Sequence, residues 1–238
     1  MGFVVSCSPG SSVIINGVDV CKASSTVDKK TEAKALEALK QRFPGVTFSG
    51  PASDVRIDDR TTIARGARVN LDGLTLKGAK IGSNAEIGDA VTIVNSMVDG
   101  SVSGNADVTN STVKQGASVK GNATVEGSTL EARSSVRGNA TVRQSHLAAG
   151  AKVTGNATAI RMDLGSDSEI SGNAHATGFT VPQGLEIAAG RHDGAYDAKA
   201  TKETGGTITV NGSSFIVTGN TGSVVIRGGV NIRSNTGK

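Results

Sequence analysis

A seventeen-residue period governs the middle of this chain. Val102-Ser-Gly-Asn-Ala106, Val119-Lys-Gly-Asn-Ala123, Val136-Arg-Gly-Asn-Ala140, Val153-Thr-Gly-Asn-Ala157 and Ile170-Ser-Gly-Asn-Ala174 repeat one phrase at that fixed interval. A fixed period of this kind implies a solenoid, because one repeat cannot bury its apolar side alone and must stack on its neighbours. Inside the period, apolar anchors recur at steps of five, six and six: Val108, Val113, Val119; Val125, Leu130, Val136; Val142, Leu147, Val153; Ala159, Leu164, Ile170; Ala176, Val181, Ile187. Three anchors per coil predict three walls, hence a triangular cross-section with one short side. From about Val55 the spacing is mostly six, through Ile57, Ile63, Val69, Ile81, Ile87 and Ile93.

Four positions after the large anchors come small ones: Ala106, Ala117, Ala123, Ser134, Ala140, Ala151, Ala157, Ser168 and Ala174. A large aliphatic group filling the interior and a small one beside a corner would suit a narrow column. The corners are expected at Gly104-Asn105, Gly121-Asn122, Gly138-Asn139, Gly155-Asn156 and Gly172-Asn173. Glycine accepts positive φ freely, and asparagine tolerates it better than most residues. At a strand spacing of about 4.8 Å, stacked asparagines should hydrogen-bond up that edge. The 238 residues include 32 Gly, no Trp, one Tyr and five Phe, so the interior must be built from Val, Ile, Leu, Ala and Ser. Low aromatic content also accompanies disorder, but the strict apolar spacing argues against it here.

Ile81-Gly-Ser-Asn-Ala-Glu followed by Ile87-Gly-Asp-Ala-Val-Thr is close to the unit of the hexapeptide-repeat family, which this chain resembles over roughly residues 55–190. The resemblance implies a left-handed parallel β-helix. The bactofilins, polymer-forming proteins with a triangular right-handed β-helix, look similar in composition and are the alternative. The fold class expected is all-β, a triangular parallel β-helix (solenoid) of about eight coils, each of seventeen to eighteen residues.

The flanks read differently. Val13-Ile-Ile15, Asn16-Gly17 and Val18-Asp-Val20 form a hairpin signal, since Asn-Gly suits the tight turn that joins antiparallel strands. Residues 28–43 carry Ala35, Leu36, Leu39 and Phe43 at helical spacing, with Asp28 as N-cap and Pro44-Gly45 as terminator. The polar segment 190–206 is expected to leave the stack. Ile208-Thr-Val210, Phe215-Ile-Val217, Val224-Val-Ile226 and Val230-Asn-Ile232 then return to β structure around a second Asn-Gly at 211–212. The organisation expected is an N-terminal cap or adaptor (1–50), the β-helix (51–190), and an exit loop with a C-terminal β region (191–238).

Little of the sequence points to chemistry. Many hexapeptide-repeat proteins are acyltransferases, and the resemblance implies a catalytic histidine at a cleft between subunits of a trimer, acting as general base. The candidates are His192, His146 and His175. His146 and His175 precede inward anchors, so both should face outward, in the columns Thr112/Thr129/His146 and Thr124/Thr141/Thr158/His175. The plainer reading of each is an exposed residue replacing Thr. His192 lies beside Asp193 in the exit segment. The zinc-binding carbonic anhydrases of the same family hold metal with three histidines from neighbouring subunits, but none here is spaced closely as ligands usually are. No cofactor or metal is expected. The Thr124/Thr141/Thr158 column is too narrow for an ice-binding face.

A formal net charge of +4 comes from scattered Lys and Arg rather than a basic stripe, which disfavours nucleic acid as a partner. No apolar run has transmembrane length. Phe3-Val4-Val5 is too short for a signal peptide, so the location expected is the cytoplasm, or outside after export without such a peptide. Gly2 fits a myristoylation pattern and Cys7 a lipoprotein box, both weakly. Cys7 and Cys21 flank the hairpin, so a disulfide between them is open in an oxidising compartment, and two free thiols in a reducing one is the blander reading. The function expected is a non-enzymatic scaffold that self-assembles, as a homo-oligomer or filament, or binds a partner protein through its terminal β segments. The alternative is a diverged trimeric acyltransferase.

Overall fold

The structure, a computed structural model, describes residues 14–15, 18–19, 29–50, 52, 55–188, 190–193, 207–210, 213–216 and 224–226. The expectations for Gly2, Cys7, Cys21, Asp28, the loop 194–206 and the stretch 230–232 fall outside these. The chain forms two compact units, Met1–Asn122 and Ala123–Lys238. Each is a parallel β-solenoid with three walls.

In the first unit, one wall pairs Arg56–Ile57, Thr75–Lys77, Thr92–Val94 and Asp107–Thr109. A second pairs Thr62–Ile63, Lys80–Ile81, Met97–Val98 and Thr112–Val113. The third pairs Thr47–Ser49, Arg68–Asn70, Glu86–Ile87, Ser101–Ser103 and Ser118–Lys120. The register places Ile57, Leu76, Ile93 and Val108 in one buried column and Phe48, Val69, Ile87, Val102 and Val119 in another. Very short strands suffice because side chains alternate across a strand. One inward residue per strand serves the core, and the next corner follows at once.

The second unit obeys the same rule. Its first wall is Thr124–Glu126, Thr141–Arg143, Thr158–Ile160, His175–Thr177 and Arg191–Asp193. Its second is Thr129–Leu130, His146–Leu147, Asp163–Leu164 and Thr180–Val181. Its third is Ser135–Gly138, Lys152–Gly155, Glu169–Ile170, Leu185–Ile187 and Val224–Ile226. Val136, Val153, Ile170 and Ile187 lie directly opposite one another, all fully buried. The second wall contributes four strands in each unit, eight in all, which matches about eight coils. The stack runs further than the apolar spacing suggests. Arg191–Asp193, at the start of the segment expected to leave it, adds a parallel strand to His175–Thr177.

Both flanks hydrogen-bond to the solenoids. Ile14–Ile15 and Val18–Asp19 form the expected antiparallel hairpin, and Ile14–Ile15 also pairs in parallel with Arg56–Ile57. Thr207–Val210 and Ser213–Ile216 form a second hairpin. The single helix among the described residues, Lys29–Arg42, buries Leu36 and Leu39, with Phe43 just beyond it. Arg42 donates to the Asp58 carbonyl at 2.7 Å and stacks over the Phe43 ring at 4.7 Å. A cation at a helix C-terminus is favourable in itself, and this one also occupies a carbonyl of the first coil.

The small-residue positions are all buried, from Ala106 to Ala174. At the Gly-Asn corners the glycine alone carries the left-handed backbone, with φ of +73° at Gly104, +81° at Gly121, +83° at Gly138, +78° at Gly155 and +64° at Gly172. The asparagines keep ordinary φ and use their side chains instead. Asn105 Nδ2 donates to Asn122 Oδ1 at 3.1 Å in the first unit. In the second, Asn139 donates to Asn156 and Asn156 to Asn173, both at 2.9 Å. These amides are exposed, so each link contributes modestly. Asn139→Leu should lower stability in urea unfolding by about 1 kcal/mol.

Asp58 ties the first coil to the next. Its carboxylate accepts from Thr61 Oγ1 at 2.7 Å and from the Gly78 N–H at 2.9 Å, with Arg60 beside it at 3.3 Å. Partial burial works against ionisation, but the bonds from Thr61, Gly78 and Arg60 and the Arg60 charge outweigh it and hold the pKa below its usual value. A folded-state pKa below the unfolded one gives stability that is present above the unfolded value and lost as pH falls through the folded one. Asp58→Asn should therefore be less stable than the parent at neutral pH. The difference in urea midpoint should shrink below about pH 4.

Candidate functional site: a groove along the short corner

The short side of each coil needs a tighter corner than the other two. Its corner residue is left-handed throughout: Gly78, Asn95 and Asn110 in the first unit, and Gly127, Gln144, Arg161 and Gly178 in the second. The residue after it is a buried serine at Ser96, Ser111, Ser128 and Ser145. Each hydroxyl donates to the carbonyl two positions earlier, at 2.7–2.8 Å. Ser96, Ser128 and Ser145 also stand where the next coil's backbone N–H needs an acceptor. Ser111 N donates to Ser96 Oγ, Ser145 N to Ser128 Oγ and Met162 N to Ser145 Oγ, all at 3.0 Å. The hydroxyl thus does the hydrogen bonding of the residue that the short side lacks. Ser145→Ala would remove the Met162 N–H acceptor inside the core, and should cost about 1–3 kcal/mol, as read by thermal or urea unfolding.

Past Ser145 the serines stop. Met162 and Phe179 take the same position and are buried. They floor a groove of about 390 Å³ that is open to solvent along the stack. Gln144 and Arg161 rise on its corner side; His146 and Asp163 rise on the wall side. These last two are register neighbours on adjacent coils. His146 Nδ1 lies 2.9 Å from Asp163 Oδ1, and its Nε2 lies 3.6 Å from Glu131 Oε1. A carboxylate at each ring nitrogen suits a clamp across successive coils. A general base would need one nitrogen free to face a substrate.

The two histidines whose side chains are described, His146 and His175, stand on different walls. His146 stands on the second wall, about half exposed. His175 stands on the first, in register with Thr158, its Nε2 3.3 Å from Thr177 Oγ1. His192 pairs in backbone register with Ala176; its side chain lies outside the described residues. Among the described residues no group of His, Cys, Asp and Glu converges on a metal position. Thr124, Thr141 and Thr158 do stack in register, with the Glu126–Arg143 ion pair, at 3.2 Å, on the same strands. No helix among the described residues is long and apolar enough to cross a membrane.

Sequence reading missed four of the groove's neighbours: Asp163, Glu131, Gln144 and Arg161. Asp163 was within its reach, since it follows His146 by one full period in the same column. Gln144 and Arg161 carry no such signal, because neither is a residue type that marks a left-handed corner.

No family model matches the chain, and no curated protein matches it. Among solved structures it is similar to UDP-N-acetylglucosamine acyltransferase from Campylobacter jejuni at 14% identity and a TM-score of 0.25. The match covers 63% of this chain and 66% of that one, so the chain spans just under two thirds of the neighbour. A likeness at that level says nothing about chemistry; the solenoid rests on the strand register alone.

Proposed function

We propose that the protein is a non-enzymatic β-solenoid scaffold that assembles through its terminal β segments. The observation that carries this reading is the parallel seating of strands from outside the regular repeat. Ile14–Ile15 lies on Arg56–Ile57, and Val224–Ile226 lies on Leu185–Ile187. A solenoid end presents unpaired N–H and C=O groups and takes up another strand readily. A strand from a second copy would meet the same chemistry. The walls themselves offer little to a partner: Met97 is the one large exposed hydrophobic residue among those described. The test is sedimentation velocity of the full chain over a wide concentration range, with electron microscopy of the same samples. Scaffold assembly predicts concentration-dependent oligomers, and Val225→Pro, which removes a strand N–H, should reduce them. Monomers at every concentration would refute the reading.

A second reading, a diverged hexapeptide-repeat acyltransferase acting as a trimer, is favoured by one contact, His146 Nδ1 to Asp163 Oδ1 at 2.9 Å. It requires the ring to release Glu131 and present Nε2 to an acceptor. Acyl transfer from a thioester donor that His146→Ala abolishes would support it; equal turnover in both proteins would remove it.

A further inference from the structure

We infer that the groove floored by Met162 and Phe179 is a binding site for an acidic oligosaccharide. The inference goes beyond the scaffold reading and does not depend on it. The first ground is where the repeat breaks. Three columns change character on adjacent coils, and all three border this groove. The buried serines give way to Met162 and Phe179. The second wall's outward Thr129 and Thr180 bracket His146 and Asp163. The corner glycines Gly127 and Gly178 bracket Gln144 and Arg161.

The second ground is backbone strain. Gln144 and Arg161 have φ of +48° and +52°, a region that costs an ordinary L-residue about 1–2 kcal/mol. Other ordinary residues, such as Arg133, adopt it singly, and the successive pair Asn95 and Asn110 are of a type that tolerates it. Gln144 and Arg161 are successive and of types that do not. Strain of this kind accumulates where side chains are needed for recognition.

The third ground is chemistry. Arg161 is exposed and makes no ion pair with any described residue. Asp163 is held by His146. The groove thus offers the Arg161 guanidinium for a carboxylate, and the Gln144 amide and the Asp163 carboxylate for hydroxyls. Being open along the stack, it suits a chain rather than a compact ligand. A hexuronate oligomer matches that set.

The experiment uses the full-length protein, a tetrahexuronate and a neutral tetrahexose, with calorimetry and backbone amide NMR. Tetrahexuronate should shift the amides of Gln144, Arg161, Asp163 and Gly178, and bind at least tenfold more tightly than the neutral chain. Arg161→Gly restores the residue type of the flanking coils, so it should fold at least as stably as the parent yet lose about tenfold or more in affinity, the share of one charge-assisted bond. Arg133→Gly, at a left-handed arginine outside the groove, should leave affinity unchanged. No binding to the parent protein, equal affinity for the two oligomers, or full affinity in Arg161→Gly would each overturn the inference. The assembly experiment reads a different quantity, so either reading can fail alone.

Discussion

Leu147→Ala should lower the unfolding free energy by about 3 kcal/mol. Leu147 is fully buried between Leu130 on the coil before it and Leu164 on the coil after. In a globule, neighbouring elements shift to shrink a cavity. Here each wall is fixed by hydrogen bonds to the coils before and after, so the void left by three carbons should persist. For a chain of this size the melting temperature should fall by about 6–12 °C, read by circular dichroism near the strand signal. Leu147→Met keeps the volume and should cost less than about 1.5 kcal/mol. Equal losses in the two variants would mean that Leu147 does not line a filled interior.

Gly155→Ala should be as damaging, and Gly127→Ala mild, although both glycines are left-handed. Gly155 has φ of +78°, and a methyl group there would lie 2.7 Å from the Gly172 carbonyl oxygen. That oxygen accepts from the Asn156 N–H at 2.7 Å, so it cannot retreat without breaking a link between coils. Gly127 has φ of +57°, and its methyl would meet nothing closer than the Gln144 side chain at 3.6 Å. Gly127→Ala should therefore show only the conformational cost, about 1 kcal/mol. Gly155→Ala adds displacement of backbone and should lose roughly 3 kcal/mol or more, within the range of the larger point-mutation effects. The comparison separates backbone conformation from space. Matching losses at the two sites would show that the Gly-Asn corner is not closed by the coil that follows.

The walls were legible in the sequence because the aliphatic spacing reports inside and outside directly. Val136, Val153 and Ile170 recur once per period and lie opposite one another. The helix was legible from Leu36, Leu39 and Phe43, and the first hairpin from Asn16-Gly17. The corners were legible only in part. Glycine marks a left-handed position wherever it occurs, but Gln144 and Arg161 occupy the same position without any compositional mark, since the neighbouring coils impose it. Ser111, Ser128 and Ser145 were written in the period too, with Ser96 fifteen residues ahead of Ser111. A small polar residue suggests exposure, however, and only the register shows its hydroxyl taking a core hydrogen bond. The His146–Asp163 contact was one period away from being read. What no periodicity could supply is the groove itself, which arises where several columns depart from the repeat together.

The most direct test of the stacked register is disulfide formation between engineered cysteines, in a background with Cys7 and Cys21 replaced by Ser. Thr141 and Thr158 are register partners on one wall, so their Cα atoms should lie about 4.8 Å apart, inside the range that a disulfide spans. Thr154 sits on a different wall, opposite Arg137. Under mild oxidation the Thr141→Cys/Thr158→Cys protein should cross-link within the monomer and keep its fold, while Thr141→Cys/Thr154→Cys should not. Cross-linking of the second pair but not the first would contradict a column in which each coil repeats the one beneath it.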